Sequence, residues 1–184
     1  LQLRFERRMT GSFSYQGAYT FSKSIDNASQ ANVQNNYDLR AERSLSLFDM
    51  RHNLAFGLMY RLPVGKGRSL LSSGGVLGAV LGGWNFGVLS SARSGIPLSM
   101  LTVTNLTGSM SGGSRPNRLR DGKLSGDARG RMRWFDPAAF ALPEPYTFGN
   151  TSSTEPGLQA PGQFNCDLLL AKDRLRAAQH GKQC

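Results

Sequence analysis

Arginine is the residue type with the most chemistry to offer. Between residues 115 and 133, Arg115, Arg118, Arg120, Arg129, Arg131 and Arg133, helped by Lys123, outweigh Asp121 and Asp127. Guanidinium groups fork onto phosphate and carboxylate oxygens. This run is therefore a candidate anionic-ligand loop, suited to lipopolysaccharide phosphates or an anionic substrate. A solvated loop with an incidental basic bias would have the same composition. The net charge of +10 also suits a phosphate-rich partner. No aromatic-interleaved basic motif accompanies it, so no nucleic acid is expected.

Other chemistry is sparse. The chain has no H-E-x-x-H, no G-x-S-x-G and no phosphate-binding P-loop. His52 and His180 are far apart, and the carboxylates show no pairing that points to acid–base work. Cys166 and Cys184 form no C-x-x-C; they are a disulfide in an oxidising compartment or two separate thiols. The sequons at Asn27, Asn105 and Asn150 read as chance matches. The expectation is a protein with no catalytic residues, no metal and no cofactor.

The elements that would position these residues are strands. Charged residues are 18% and hydrophobic residues 39%, against about 25% and 45–50% in soluble domains. Glycine, at 22 residues, favours turns and β structure over helices. No apolar run approaches the ~18 residues of a membrane helix, so a membrane would have to be met with strands. Phe13, Tyr15, Gly17, Tyr19 and Phe21 alternate with Ser14, Gln16, Ala18 and Thr20. His52, Leu54, Phe56, Leu58, Tyr60 and Leu62 alternate with Asn53, Ala55, Gly57, Met59 and Arg61. Trp84, Phe86 and Val88 alternate with Asn85, Gly87, Leu89, Ser91 and Arg93. A period of two sends the two sets to opposite faces.

This periodicity predicts strands near 1–9, 12–22, 51–62, 84–103 and 164–172, the fourth interrupted at Gly95-Ile96-Pro97 by a bulge or edge. Residues 23–50 and 104–162 read as long loops, 63–83 as a connector and 173–184 as an atypical tail. A soluble sandwich would turn the aromatic faces into a core. A barrel would turn Phe13, Tyr15, Tyr19, Phe21, Phe56, Tyr60, Trp84 and Phe86 to lipid as a band and girdle. Ser14, Gln16, Asn53, Arg61 and Asn85 would then line a wet lumen. Short and long connections alternate along the chain, as in outer-membrane barrels. The fold class expected is all-β: antiparallel strands of a transmembrane outer-membrane β-barrel, incomplete.

A succession of short motifs points the same way. These are Tyr19-Thr20-Phe21-Ser22-Lys23-Ser24-Ile25-Asp26, Asp49-Met50-Arg51-His52-Asn53, Leu62-Pro63-Val64-Gly65-Lys66-Gly67, Leu81-Gly82-Gly83-Trp84 and Ser94-Gly95-Ile96-Pro97. Arg115-Pro116-Asn117, Trp134-Phe135-Asp136-Pro137-Ala138-Ala139-Phe140 and Phe148-Gly149-Asn150 follow in order. Together, over roughly residues 1–172, they resemble the TonB-dependent receptor family in its Oar-like branch. The resemblance implies a piece of the C-terminal half of a barrel that takes up large substrates across the outer membrane. The partners it implies are outer-membrane lipid, the remainder of the barrel and its plug, and an inner-membrane energy-coupling complex acting through the parent. The stretch Thr151 to Pro161 and the tail after Lys172 depart from the family pattern. The chain opens directly into strand-like sequence without an initiator Met, so it is expected to be an internal fragment. The alternative expectation is a soluble β-sandwich module for adhesion or carbohydrate binding.

Overall fold

A computed structural model describes residues 1–27, 33–64, 80–110 and 114–173. Most of the 63–83 connector, Cys184, His180 and the tail beyond 173 lie outside the described residues. The architecture is all-β. In chain order the strands are β1 (Gln2–Thr10), β2 (Phe13–Phe21), β3 (Ile25–Asp26), β4 (Ser44–Leu45), β5 (His52–Arg61) and β6 (Trp84–Arg93). They continue with β7 (Pro97–Leu98), β8 (Asn117–Arg118), β9 (Phe140–Ala141), β10 (Glu155–Gln159) and β11 (Gln163–Lys172).

The five long strands form one open sheet in the order β1-β2-β5-β6-β11. Bonds at the strand ends show that neighbours run antiparallel. Arg61 N–H donates to Ser12 and Ser22 N–H to Arg51; Leu62 N–H donates to Trp84 and Asp173 N–H to Gly83. Each strand is 9 or 10 residues long, which is the length of a tilted strand crossing a bilayer, about 9–11 residues. β1 and β2 are joined by Gly11-Ser12, where Gly11 supplies the positive φ of 71° that a tight turn requires. Their ladder shifts register between Arg7 and Thr10.

The residues gather into two compact units. One comprises Gln2–Thr20, Leu54–Ala92 and the described part of Phe164–Cys184; the other comprises Leu1, Phe21–Asn53 and Arg93–Gln163. In the first unit the sheet is a single layer. Its apolar side chains stay exposed, as with Leu3, Phe164 (69%) and Leu168 (70%). The buried hydrophobic residues among those described are Leu45, Ala139 and Leu158, all in the second unit. A sandwich would have covered the aromatic face with a second sheet. Among the described residues no such sheet exists, so the soluble β-sandwich expectation is overturned.

The second unit corrects two further expectations. The strand expected over 84–103 ends at Arg93. At Gly95 the backbone lies so close to the Ala160 carbonyl that a Cβ would overlap it, and Pro97 has no N–H to continue a ladder. The chain instead turns into a small sheet in which β7 pairs with β10, Leu98 opposite Glu155 and Pro97 opposite Gln159. The stretches expected as loops carry their own ladders, β3 with β4 and β8 with β9, and hold the buried residues of the unit.

Candidate functional site

The sheet of the first unit presents two chemically distinct faces. On the first, Phe5 stands opposite Gly17, and its ring fills the space a Cβ at residue 17 would need. From there an aromatic cluster spreads. Phe5 lies 6.2 Å from Tyr15 and 6.5 Å from Phe56, while Phe13 lies 5.6 Å from Tyr15 and 6.4 Å from Tyr60. Tilted and edge-on pairs of this kind are worth about 0.5–1.5 kcal/mol each. Trp84 donates its indole N–H to the Val80 carbonyl at 3.0 Å, and Lys172 sits 5.4 Å over its ring. Tyr19 shares the face of β2, opposite Leu3, and Phe86 follows Trp84 by two residues on β6. In the second unit Phe21 packs 5.3 Å from His52. The singled-out aromatics thus gather around Phe5 and Trp84. Phe5 and Lys172 were not expected in this role. Cross-strand register brings Phe5 into the cluster, and no spacing within one strand reveals register.

On the other face Gln16 lies against Gly57 and Leu89, and Gly87 against Leu169 and Met59. Arg61 Nε donates to Asn85 Oδ1 at 3.2 Å. Two hollows of about 500 and 450 Å³ lie along the sheet, sharing Gln16, Gly57 and Leu89. Ser14 and Glu6 border one, Arg4 and Asp167 the other. Ser14, Gln16, Arg61 and Asn85 therefore lie along a polar, glycine-notched surface. Asn53 lies on β5 but within the second unit.

The second unit has a polar core. Arg115 is 1% exposed and its guanidinium is paired with the equally buried Glu42. Arg115 also donates to the Thr151 carbonyl at 3.3 Å. Gln34 accepts from Arg115 N–H at 2.8 Å and donates to the Gly149 carbonyl at 2.9 Å. Glu42 Oε1 accepts from the backbone of Gln34 and Asn35. Thr154 bonds Ser44 and Leu45 at 3.0 and 2.6 Å, and Ser24 shares a 2.7 Å bond with Ser46. These bonds fasten 23–50 to 104–162.

The arginine run is accordingly not one ligand surface. Arg115 is sealed in the core and leaves the candidate anion site. Arg118 pairs with Glu155 at 3.1 Å, and Arg120 and Arg133 converge on Asp136 at 2.8 and 3.4 Å. Arg129 stacks 5.5 Å over Trp134 and donates to Leu124. Arg131 is exposed, with no ion pair to it among the described residues. The Arg120 hydrogen bond holds the Asp136 carboxyl below its ordinary range, with help from Ala138 N–H and Arg133. Burial pushes the Glu155 carboxyl up, and the charge of Arg118 offsets part of that.

A single-layer antiparallel sheet with bilayer-length strands, one aromatic face, one polar face and alternating short and long connections defines a sector of a membrane-spanning barrel wall. The model of the outer membrane beta barrel domain matches residues 1–180. The chain belongs to that family, and its place is the outer membrane. No curated protein and no solved structure gives a significant match.

Proposed function

We propose that this barrel is a TonB-dependent receptor of the Oar-like kind, and that the chain supplies part of the C-terminal half of its wall. The aromatic face, with Phe13, Tyr15, Tyr19, Phe21, Phe56, Tyr60, Trp84 and Phe86, is the lipid-facing band and girdle. The polar row of Ser14, Gln16, Asn53, Arg61 and Asn85 lines the lumen. The remainder of the barrel pairs with the free edges and encloses a plug, and an inner-membrane coupling complex supplies the energy. The chain acts as wall and recognition surface, without catalysis or cofactor.

The observation that carries this reading is the asymmetry of the connections. Residues 22–51 and 94–162 fold into a unit with its own hydrogen-bonded core, whereas β1 and β2 are joined by two residues. A receptor for large substrates needs an ordered loop surface on one side of the membrane; a bare channel does not. The test is the DNA flanking the reading frame. The receptor reading expects a signal peptide, plug and coupling segment upstream, and further amphipathic strands ending in an aromatic residue downstream. Unrelated genes close on both sides would remove uptake while leaving the barrel family in place.

A further inference from the structure

The loop unit contains a hollow of about 530 Å³, within the range of small-molecule sites, about 300–1,000 Å³. Its apolar walls are Leu47, Phe48, Met50, Ile96 and Pro161. Its floor is built rather than accidental. Gly95 meets the Ala160 carbonyl, Gly162 meets the Arg93 carbonyl, and Ala160 N–H donates to Ile96 at 2.8 Å. Phe48, 64% exposed, stands ready to cover an occupant.

One cation enters this apolar setting. Arg93 Nε donates to Gln163 Oε1 at 2.7 Å, which orients the guanidinium and leaves its two Nη groups for another acceptor. Among the described residues no carboxylate pairs with Arg93, in contrast to Arg118, Arg120 and Arg133. The neighbouring acid, Asp49, is buried and accepts from Ser24 N–H at 2.7 Å. Ser94 Oγ is already taken by His52 N–H at 3.1 Å. A sugar would find few free donors here, and a multiply charged phosphate would find a single cation.

We propose that this hollow binds a small apolar molecule carrying one carboxylate, its body against Leu47, Phe48, Ile96 and Pro161 and its carboxylate forked on Arg93. The assignment concerns the loop unit and stands independently of TonB-driven uptake. It gives the Ser94-Gly95-Ile96-Pro97 motif a purpose: the glycine lets two backbones touch to form the floor, and the isoleucine forms a wall.

The test uses the full chain in maltoside micelles, titrated with phenylacetate and with the neutral phenylacetamide while NMR follows the Arg93 Nε–H and Ile96 N–H signals. Phenylacetate is expected to give saturable shifts at both. The amide should bind about tenfold more weakly, since it forfeits a charge-assisted fork. Arg93→Gln should lower phenylacetate affinity by a similar factor, and Arg93→Lys should keep part of it. The comparison of acid with amide on the unaltered chain does not depend on any variant folding. No saturable shift, or equal affinity for acid and amide, overturns the proposal.

Discussion

At the scale of single residues, the pair Arg115–Glu42 shows how a surface expectation became an interior one. Both groups are out of water, so their desolvation is offset by each other and by Gln34, Asn35 and Thr151. Removing one partner strands the other. Arg115→Met should cost about 3–5 kcal/mol of local stability, seen as early proteolytic cutting within 23–50 and 104–162. Arg131→Ala should change stability by less than about 0.5 kcal/mol. Equal cutting in the two variants would show that the pair does not clamp the loops. Glu155 gives a second residue-level prediction, with a definite sign. Its folded carboxyl binds its proton more tightly than the ordinary value of 4.5 allows. Stability is therefore greatest while the group is protonated and falls as pH rises from 4.5 through the folded value. Glu155→Gln should flatten that fall without destabilising the loops at neutral pH. A steeper fall in the variant would mean that the Arg118 pairing outweighs burial.

At the scale of the strand, alternation governs what each position tolerates. Phe56 lies on the aromatic face beside Phe5, and Gln16 on the opposite face beside Gly57. If the first face meets lipid, Phe56→Arg should cost about 2–4 kcal/mol near the bilayer midplane and block assembly of the parent in membranes. Gln16→Arg should assemble normally. Heat-modifiable mobility of the membrane fraction separates the two, and equal tolerance would sink the lipid assignment. The same alternation made the long strands legible. Tyr15, Gly17 and Tyr19 announce β2, and Pro63 announces the end of β5, because side-chain period and backbone donors are local properties. The second unit was not legible for the opposite reason. Its order comes from bonds such as Gln34 to Gly149 and Thr154 to Ser44, which join polar residues distant in sequence and leave no periodic trace. Arg115 looked like its exposed neighbours because nothing beside it in sequence announces Glu42. The strand expected beyond Arg93 failed at Gly95 and Pro97, where a close backbone approach redirects the chain.

At the scale of the whole molecule, the sheet ends in two open edges, β1 and β11. Unpaired backbone groups are costly in lipid, so the wall requires neighbouring strands on both sides. The order of the connections then fixes an orientation. Outer-membrane barrels keep short turns in the periplasm and long loops outside. Gly11-Ser12 should therefore face the periplasm, while Tyr37 and Met132, both fully exposed on the long connections, should face the medium. Cysteine labelling of the parent in intact cells tests this, with Cys166 and Cys184 first replaced by serine. Tyr37→Cys and Met132→Cys should react with a membrane-impermeant maleimide in whole cells. Ser12→Cys should react once the outer membrane is breached and not before. The reverse pattern would put the loop unit, with its Arg93 hollow, on the periplasmic side. A binding surface there would meet substrate after the barrel had been crossed, which is incompatible with capture from outside. The labelling order thus decides whether the folded loops serve as the entrance to this barrel or lie at its exit.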